Sequence, residues 1–540
     1  MPAADAEVAV LIVGGGPVGL TARALLERWG VPALLVEKHD GLSPFPRARL
    51  VNVRSMEIYR GLGLADRIFA GAFPPEYGRV RFRDTLLDQD FATAAMVGVN
   101  APIPESPTIG VVTSQDRLEP ILLAAARAPV RFGAELVELT EEDEGVTAVV
   151  LDRRRGGRTR VRARYVIAAD GANSTVRRLL GIGTTGPGAM GRFTSIVFDA
   201  DLDPWCAGRP AGVYFTAHGI FTPLYPEGGW ARSLPTPEDP AHADWSALVS
   251  RALGSRAEVE VEVVRVQHWV MSAFVAECLR HGRTLLTGDA AHAVPVIGGL
   301  GMNAGIADVH NLCWKLAGVL QGWAGPGLVE TYEPERHPVA LRTLRQAVAN
   351  TRLMLDVQER YEARRRSGEP EPTDMELPWS ERYFAQLGLL LGVCYRSGAV
   401  LTGDGAAPEP PDPGTDYVPT TEPGHRMPHL WLGPGRSTLD AFGEWFTLLT
   451  PEPAREPPPD PGRPGPGSAR PEQPAVPPWP LRTEPLPGRS TGPYDPGPRE
   501  TLLVRPDGHV AARWHDGVPH VSAVRDALAA LTAHPPEPSR

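Results

Sequence analysis

Residues 285 to 318, "LLTGDAAHAVPVIGGLGMNAGIADVHNLCWKLAG", hold two Asp–His pairs, Asp289 with His292 and Asp308 with His310, around a run of glycines. Such residues could hold a metal, relay a proton, or stand behind a loop whose main-chain nitrogens bind a ligand, and their spacing alone leaves these open. Near the N-terminus, Gly14-x-Gly16-x-x-Gly19 is followed by Glu37 at the end of the next apolar run. Glycines in that pattern allow a tight turn, close approach of a pyrophosphate to a helix N-terminus, and tight helix–strand packing, while the carboxylate accepts from ribose hydroxyls. The chemistry is dinucleotide binding. Glu37, standing where a basic residue would suit a 2′-phosphate, favours an unphosphorylated adenosine ribose, which FAD and NAD both carry. A third stretch, "DGANSTVR", from Asp170 to Arg177, reads by itself as a turn and a helix start capped by Ser174.

The glycine turn works only between a strand and a helix, and residues 8 to 40 supply both: "VAVLIV", "GGGPVG", "LTARALLERWG" and "PALLVEK" read as strand, turn, helix, strand. Residues 114 to 128 have helical spacing, and 130 to 170 alternate as a meander ending in "ARYVIAADG". A middle block, about 184 to 275, is rich in short β-like runs and carries Tyr214, Phe215, Phe221, Tyr225 and Trp230, aromatics expected to line a pocket. A buried strand "TLLTG" leads into the second glycine run, and helical patterns follow in "ADVHNLCWKLAGVLQG" and "PERHPVALRTLRQAVANTRLMLDVQERYEARRR". Residues 451 to 500 contain 18 prolines and are expected to run exposed and rich in polyproline II. Beyond them, "ETLLVRPDGHVAARW" predicts a hairpin turning at Pro506-Asp507-Gly508, and "VSAVRDALAALTA" a last helix.

A chain of 540 residues implies two or three domains. No run of about 18 apolar residues exists to span a bilayer, and the N-terminus reads as a first strand rather than a signal peptide. Cys206, Cys278, Cys313 and Cys394 form no CxxC, which fits a reducing compartment and speaks against structural zinc or a dithiol centre. The reading is therefore a cytoplasmic protein without a membrane partner. A net charge of −10 disfavours nucleic-acid binding. Only Lys38 and Lys315 are lysines, so an isolated arginine carries little weight.

The three motifs in this order, together with "GRTLLTGDAAH…P…GG.GMN.G..D..NL.WKLA", resemble the class A flavoprotein monooxygenases, the single-component FAD-dependent aromatic hydroxylases related to para-hydroxybenzoate hydroxylase. The resemblance runs from residue 8 to about 350. "PGHRMPHLWL", "STLDAFGEWFTLL" and "LVRPDGHVAARW" look like the C-terminal thioredoxin-like domain of the larger actinomycete members, which tailor polycyclic aromatic natural products. It implies an α/β fold: a Rossmann-type FAD-binding domain in two parts, residues 1–183 and 281–400, an inserted mixed β-sheet substrate domain, 184–280, and a thioredoxin-like domain, 401–540. The proline-rich stretch stands where that last domain usually has a strand-helix-strand unit, so its completeness is open.

By the same resemblance Gly14, Gly16, Pro17 and Gly19 would cradle the FAD pyrophosphate, and Glu37 would hold the adenosine ribose with Lys38 beside it. Arg47 would reach the phosphate or ribityl region, Gln115 the ribityl chain, and Leu136 the adenine. Asp170 belongs to the motif shared between FAD and nicotinamide contacts. Asp289 would accept from ribityl hydroxyls, Pro295 would border the oxygen adduct, and Gly301, Met302 and Asn303 would offer main chain to the flavin ring. The implied reaction uses NADPH or NADH as a transient co-substrate and O2 through a C4a-hydroperoxyflavin, hydroxylating a small-molecule, polycyclic aromatic, polyketide-type substrate; of the middle block's aromatics, Tyr214, Phe221, Tyr225 and Trp230 are the expected substrate-binding residues. No second GxGxxG exists for the nicotinamide cofactor. A general base is not identified; His218, His268 and Tyr225 are candidates. Baeyer–Villiger insertion, epoxidation, and a shielding subunit that binds FAD without turnover remain alternatives, and homodimerisation is open. No metal is implied: His292, Asp308 and His310 become scaffold behind the loop.

Overall fold

The computed structural model describes residues 5–206, 208–254, 259–367, 386–402, 416–451, 479–486 and 499–533. Its first sheet has a parallel spine in the order Thr284–Leu286, Arg158–Ala168, Ala6–Val13, Ala33–Glu37, Val130–Phe132. The first strand lies near the centre, and its last four residues, Val10 to Val13, are all buried, as expected of a strand covered on both faces. Helices Pro17–Arg28 and Gly301–Gln321 pack against each other, so segments far apart in sequence meet at one end of this spine. The helix expected over 114–128 stops at Leu123. Its termination has a cause: the buried guanidinium of Arg23 takes the carbonyls of Leu123, Ala126 and Ala128.

A second sheet of eight strands runs in the order His292–Ala293, Glu262–Ala276, Thr184–Asp199, Gly228–Pro235, Gly219–Tyr225, Val213–Thr216, Arg79–Arg83, Ala92–Ala95. It is not confined to residues 184–280. Two strands come from residues 79–95, Val213–Thr216 pairing in parallel with Arg79–Arg83, and His292–Ala293 ties the far edge to the second glycine run. One face packs on helix Trp245–Leu253 through Phe198, Tyr214, Phe221, Trp230, Val249 and Leu253.

The C-terminal sheet has the order Leu481–Leu486, Phe446–Pro451, Thr501–Val504, Val510–Trp514. The expected hairpin and last helix are present, the helix as Val521–Leu531. Leu481–Leu486 lies inside the stretch read as unable to order, yet it pairs in parallel with Phe446–Pro451. The physical reason is that it is an edge strand, where the missing N–H of Pro485 breaks no interior ladder. The rest of the proline-rich stretch, 452–478 and 487–498, lies outside the described residues. Phe446 meets Trp314 and Trp323 edge-on at 5.8 and 6.1 Å, joining this sheet to the FAD-domain helices.

Candidate functional site

The first strand ends in Gly14, whose φ of +109° only glycine adopts readily, and a Cβ there would lie 2.2 Å from the carbonyl oxygen of Ala169. A Cβ on Gly19 would lie 2.0 Å from the oxygen of Gly14, so Gly19 brings helix Pro17–Arg28 down on the strand. Gly16 differs: a Cβ there meets nothing within 4 Å. Its absence keeps space open at a helix N-terminus that no side chain caps, where the first-turn N–H groups favour an anion. Pro17 starts the helix without an N–H to satisfy. Glu37 braces the turn, accepting from Gly15 N at 2.6 Å through one oxygen and from His39 N at 2.9 Å through the other. Lys38 beside it is half-buried. Leu136 packs its side chain into the main core at 2% exposure, leaving only its main chain for a ligand.

Asp170 sits at the rim, but its carboxylate is committed to its own turn, accepting from Ser174 Oγ at 2.5 Å, Thr175 N at 2.7 Å and Val176 N at 3.1 Å. Burial raises its pKa, and these bonds oppose the rise. Arg177 carries the motif onward by donating to the oxygen of Ala290 at 2.8 Å. The sequence motif thus fixes the second glycine run from behind.

In that run the Asp–His pairs cross over. His292 Nε2 lies 2.7 Å from Asp308, not beside Asp289, and both His292 and Asp308 are wholly buried. Asp308 also accepts from Gly288 N at 3.0 Å and Arg336 Nε at 2.7 Å. Burial would raise its carboxyl, but His292 and Arg336 outweigh it and bring it down to about 2. Burial pushes His310 down to about 3, which keeps it neutral. Among the described residues no three or more His, Cys, Asp or Glu side chains converge as a metal site.

Asp289 instead is exposed and, among the described residues, makes no hydrogen bond to Asp308's network. Desolvation by the surrounding protein raises its pKa, with His292 and Arg47 opposing. Pro295 is buried, and Val296 after it stands 52% exposed. Gly301 begins a helix with no side-chain cap, and Met302 packs partly against the core. The side chain of Asn303 is a brace, accepting from Asn52 N at 2.9 Å and donating to the oxygens of Leu50 at 2.9 Å and Gly299 at 2.7 Å.

A third wall comes from residues 47–50 and 114–116. Gln115 accepts from Ala48 N at 3.3 Å and donates to Glu119 at 2.7 Å; Arg47 is exposed. Sequence reasoning missed Arg49 and Asp116. The three guanidinium nitrogens of Arg49, Ser114 Oγ and Asp116 Oδ1 are all buried without a hydrogen-bond partner. Burial lowers Arg49 to about 10, with Asp116 and Tyr225 opposing. The signal lay in "PRAR": its second arginine is the buried one. Buried polar atoms are seldom left unpaired in a native protein. Together with the open space at Gly16, the uncapped helix starts and the unpartnered Asp289, they fit a large, polar, anionic ligand of the dinucleotide type.

The expected substrate residues separate. Tyr214, Phe221 and Trp230 are 1%, 0% and 7% exposed in the core beneath helix Trp245–Leu253, and do not line a pocket. Strand alternation puts the next residue, Phe215, on the other face, where it clusters with Phe82, Leu50, Met354 and Ile297 of the glycine run. Tyr225 alone reaches the first domain, donating to Asp116 at 2.6 Å, and it borders a cavity of about 1010 Å³ between Pro44, Pro46 and the substrate sheet. Burial and Asp116 push its hydroxyl up to about 12, so it is a donor at neutral pH, not a base. His218 lies on an exposed turn, and His268 Nδ1 bonds Thr194 at 2.8 Å.

Residues 7–347 match the family described as FAD binding domain, and the chain belongs to that family of FAD-dependent monooxygenases. Aklavinone 12-hydroxylase RdmE of Streptomyces purpurascens is 36% identical over 480 residues, covering 83% of this chain and 84% of the relative. Tetracenomycin B2 monooxygenase-dioxygenase of Streptomyces olivaceus is 35% identical over 482 residues, covering 82% and 84%. The crystal structure of the flavin-dependent monooxygenase PieE with FAD and substrate superposes with a TM-score of 0.83 at 33% identity, covering 99% of this chain and 100% of that one. The protein is thus an FAD-using enzyme that takes electrons from NADPH or NADH and oxygen from O2. Among the described residues no helix is long and apolar enough to cross a membrane.

Proposed function

We propose that the protein hydroxylates a polycyclic aromatic, polyketide-type intermediate held between the second sheet and the glycine run 288–303. The observation that carries this is the apolar face on the loop that bears Asp289, where the exposed Val296 is backed by the buried cluster of Phe82, Phe215 and Ile297. A flat, largely apolar substrate suits such a face. The relatives named for aklavinone and tetracenomycin B2 support the substrate class.

When bound, FAD supplies the redox chemistry, accepting electrons from the nicotinamide and passing one oxygen atom of O2 to the substrate. The chain's residues do the rest. The first-turn nitrogens beside Gly16 would hold the pyrophosphate, Glu37 the adenosine ribose with Lys38 near, and Leu136 main chain the adenine. Asp289 and Gln115 would hold the ribityl hydroxyls, Arg47 and the unpaired Arg49 the charge between them. Gly301, Met302 and Asn303 would present main chain to the ring, with Pro295 at its edge. Tyr225 would donate to a substrate oxygen when its bond to Asp116 opens.

The test is the holoenzyme with linear and angular polycyclic phenols. Anaerobic mixing with NADPH or NADH should bleach the flavin faster with substrate present, and ¹⁸O2 should leave one labelled hydroxyl in the product. A labelled lactone would replace hydroxylation by Baeyer–Villiger insertion. An absence of bleaching with every substrate would refute the reading.

A further inference from the structure

A buried ionic network runs from the second glycine run to the C-terminal hairpin turn. Asp308, which holds Gly288 N, pairs with Arg336, whose Nη1 lies 3.2 Å from the hydroxyl of Tyr395. Tyr395 in turn lies 4.2 Å from the ring of His509, centroid to centroid. The residue before Arg336, Glu335, receives both Arg505 nitrogens at 2.6 and 2.9 Å, Lys315 Nζ at 2.7 Å and Asn311 Nδ2 at 2.6 Å. Arg505 also grips Asp507 at 2.5 Å. Lys315 and Arg505 are 0% exposed, and Glu335 and Asp507 are 1% exposed. Charges there balance pairwise, two carboxylates against two cations. Asp308, Asn311 and Lys315 share one face of helix Gly301–Gln321, at the spacing of successive turns.

We propose that the Arg505–Asp507 turn of the C-terminal domain positions the flavin loop: by fixing Glu335 it sets the neighbouring Arg336, and through Asp308 the Gly288–Asp289 main chain. FAD retention then depends on a domain none of whose described residues is assigned to the flavin site. Arg505 is a positioning residue, and the proposal rests on reading residues 288–303 as the flavin loop. Removing one partner from a buried ion pair leaves the other uncompensated, so the strain must be relieved along the helices.

The experiment titrates full-length apoprotein with FAD and follows flavin fluorescence, alongside urea melts of each apoprotein. Arg505→Gln and Asp308→Asn should each weaken FAD binding about tenfold or more, and the double variant should fall short of the product of the two, as coupled sites do. Val524→Ala, in the C-terminal core outside the network, should lower the melt while leaving FAD affinity unchanged. Wild-type FAD affinity in folded Arg505→Gln, additive effects, or an equal loss in Val524→Ala overturns the proposal. Should Arg505→Gln not fold, Arg505→Lys, which keeps the charge and loses the two-pronged contact, carries the same comparison. Asp289→Ala separates the underlying reading: retention of FAD there removes the flavin-loop assignment and this proposal with it, whereas loss there with an unaffected Arg505→Gln sinks the positioning role alone.

Discussion

Gly16→Ala and Gly19→Ala separate a glycine kept for a ligand from a glycine kept for packing. Gly16 has φ −76° and ψ −176°, a conformation alanine tolerates, and its Cβ would enter empty space in the apoprotein. An alanine N-cap costs about 0.5–1 kcal/mol relative to better caps, and a stiffer unfolded chain returns about 0.4–1 kcal/mol. Apoprotein stability should therefore stay within about 1 kcal/mol of wild type. The methyl, about 1.5 Å from Cα, occupies the approach to the first-turn nitrogens. Losing two hydrogen bonds to phosphate at about 1.5–3 kcal/mol each predicts FAD bound at least ~100-fold more weakly. Gly19→Ala behaves the other way. Its Cβ would sit 2.0 Å from a backbone oxygen that has nowhere to move, so the apoprotein itself should lose about 1–3 kcal/mol or more. Urea melts of both apoproteins and FAD titrations by fluorescence check the pair. A stable Gly16→Ala with unchanged FAD affinity would refute the assignment of that space to the pyrophosphate.

Other outcomes follow from the same geometry. Burial would raise the carboxyl of Glu335, but Arg505 and Lys315 outweigh it and bring it from the usual 4.5 to about 2. Because the folded value is depressed, its contribution to stability is present above about pH 4.5 and is lost as pH falls toward about 2; Glu335→Gln should flatten that part of the urea-stability profile. Phe215→Ala should raise the KM for the aromatic substrate with FAD retained, whereas Tyr214→Phe, which removes the bond to the oxygen of Arg209 at 3.0 Å and the contact with the Cys206 thiol, should cost about 1 kcal/mol in stability and leave KM alone; equal KM effects would refute the assignment of faces. Tyr225→Phe should raise KM about tenfold and leave any alkaline limb of the kcat profile in place, since its hydroxyl ionises only near about 12. Loss of that limb would make it the base after all.

Motifs whose function is built into main-chain geometry were legible from sequence: the glycine turn and Glu37 stand where their spacing put them, because each needs only its immediate neighbours, while the helix read from Ala307 in fact begins at Gly301, inside the glycine run. Features that depend on register or on distant partners were not. Tyr214 and Phe215 are both large aromatics in one strand, and nothing local says which faces helix Trp245–Leu253 and which the glycine run. The pairing of His292 is with Asp308, 16 positions on in the following helix, and not with Asp289 three positions before it. Arg49 was hidden by the abundance of arginine, and only the burial of its unpartnered guanidinium singles it out. Leu481–Leu486 shows that a proline count misjudges a segment when the strand sits at a sheet edge.

The parallel spine joins Ala6–Val13 to Arg158–Ala168 and then to Thr284–Leu286, and Gly288 and Gly305 both lie against Val18 of the first run, where a Cβ would come within 3.0 and 2.6 Å of its side chain. The two glycine runs therefore close on one another only after the second sheet has been inserted between them. During synthesis at about 5–20 residues per second, the first run waits on the order of fifteen to sixty seconds for the second to emerge. Until then the nascent N-terminal half has no complete berth for its cofactor. With these runs read as the flavin site, FAD finds its berth only after about 305 of the 540 residues have emerged, with the C-terminal sheet still to be made.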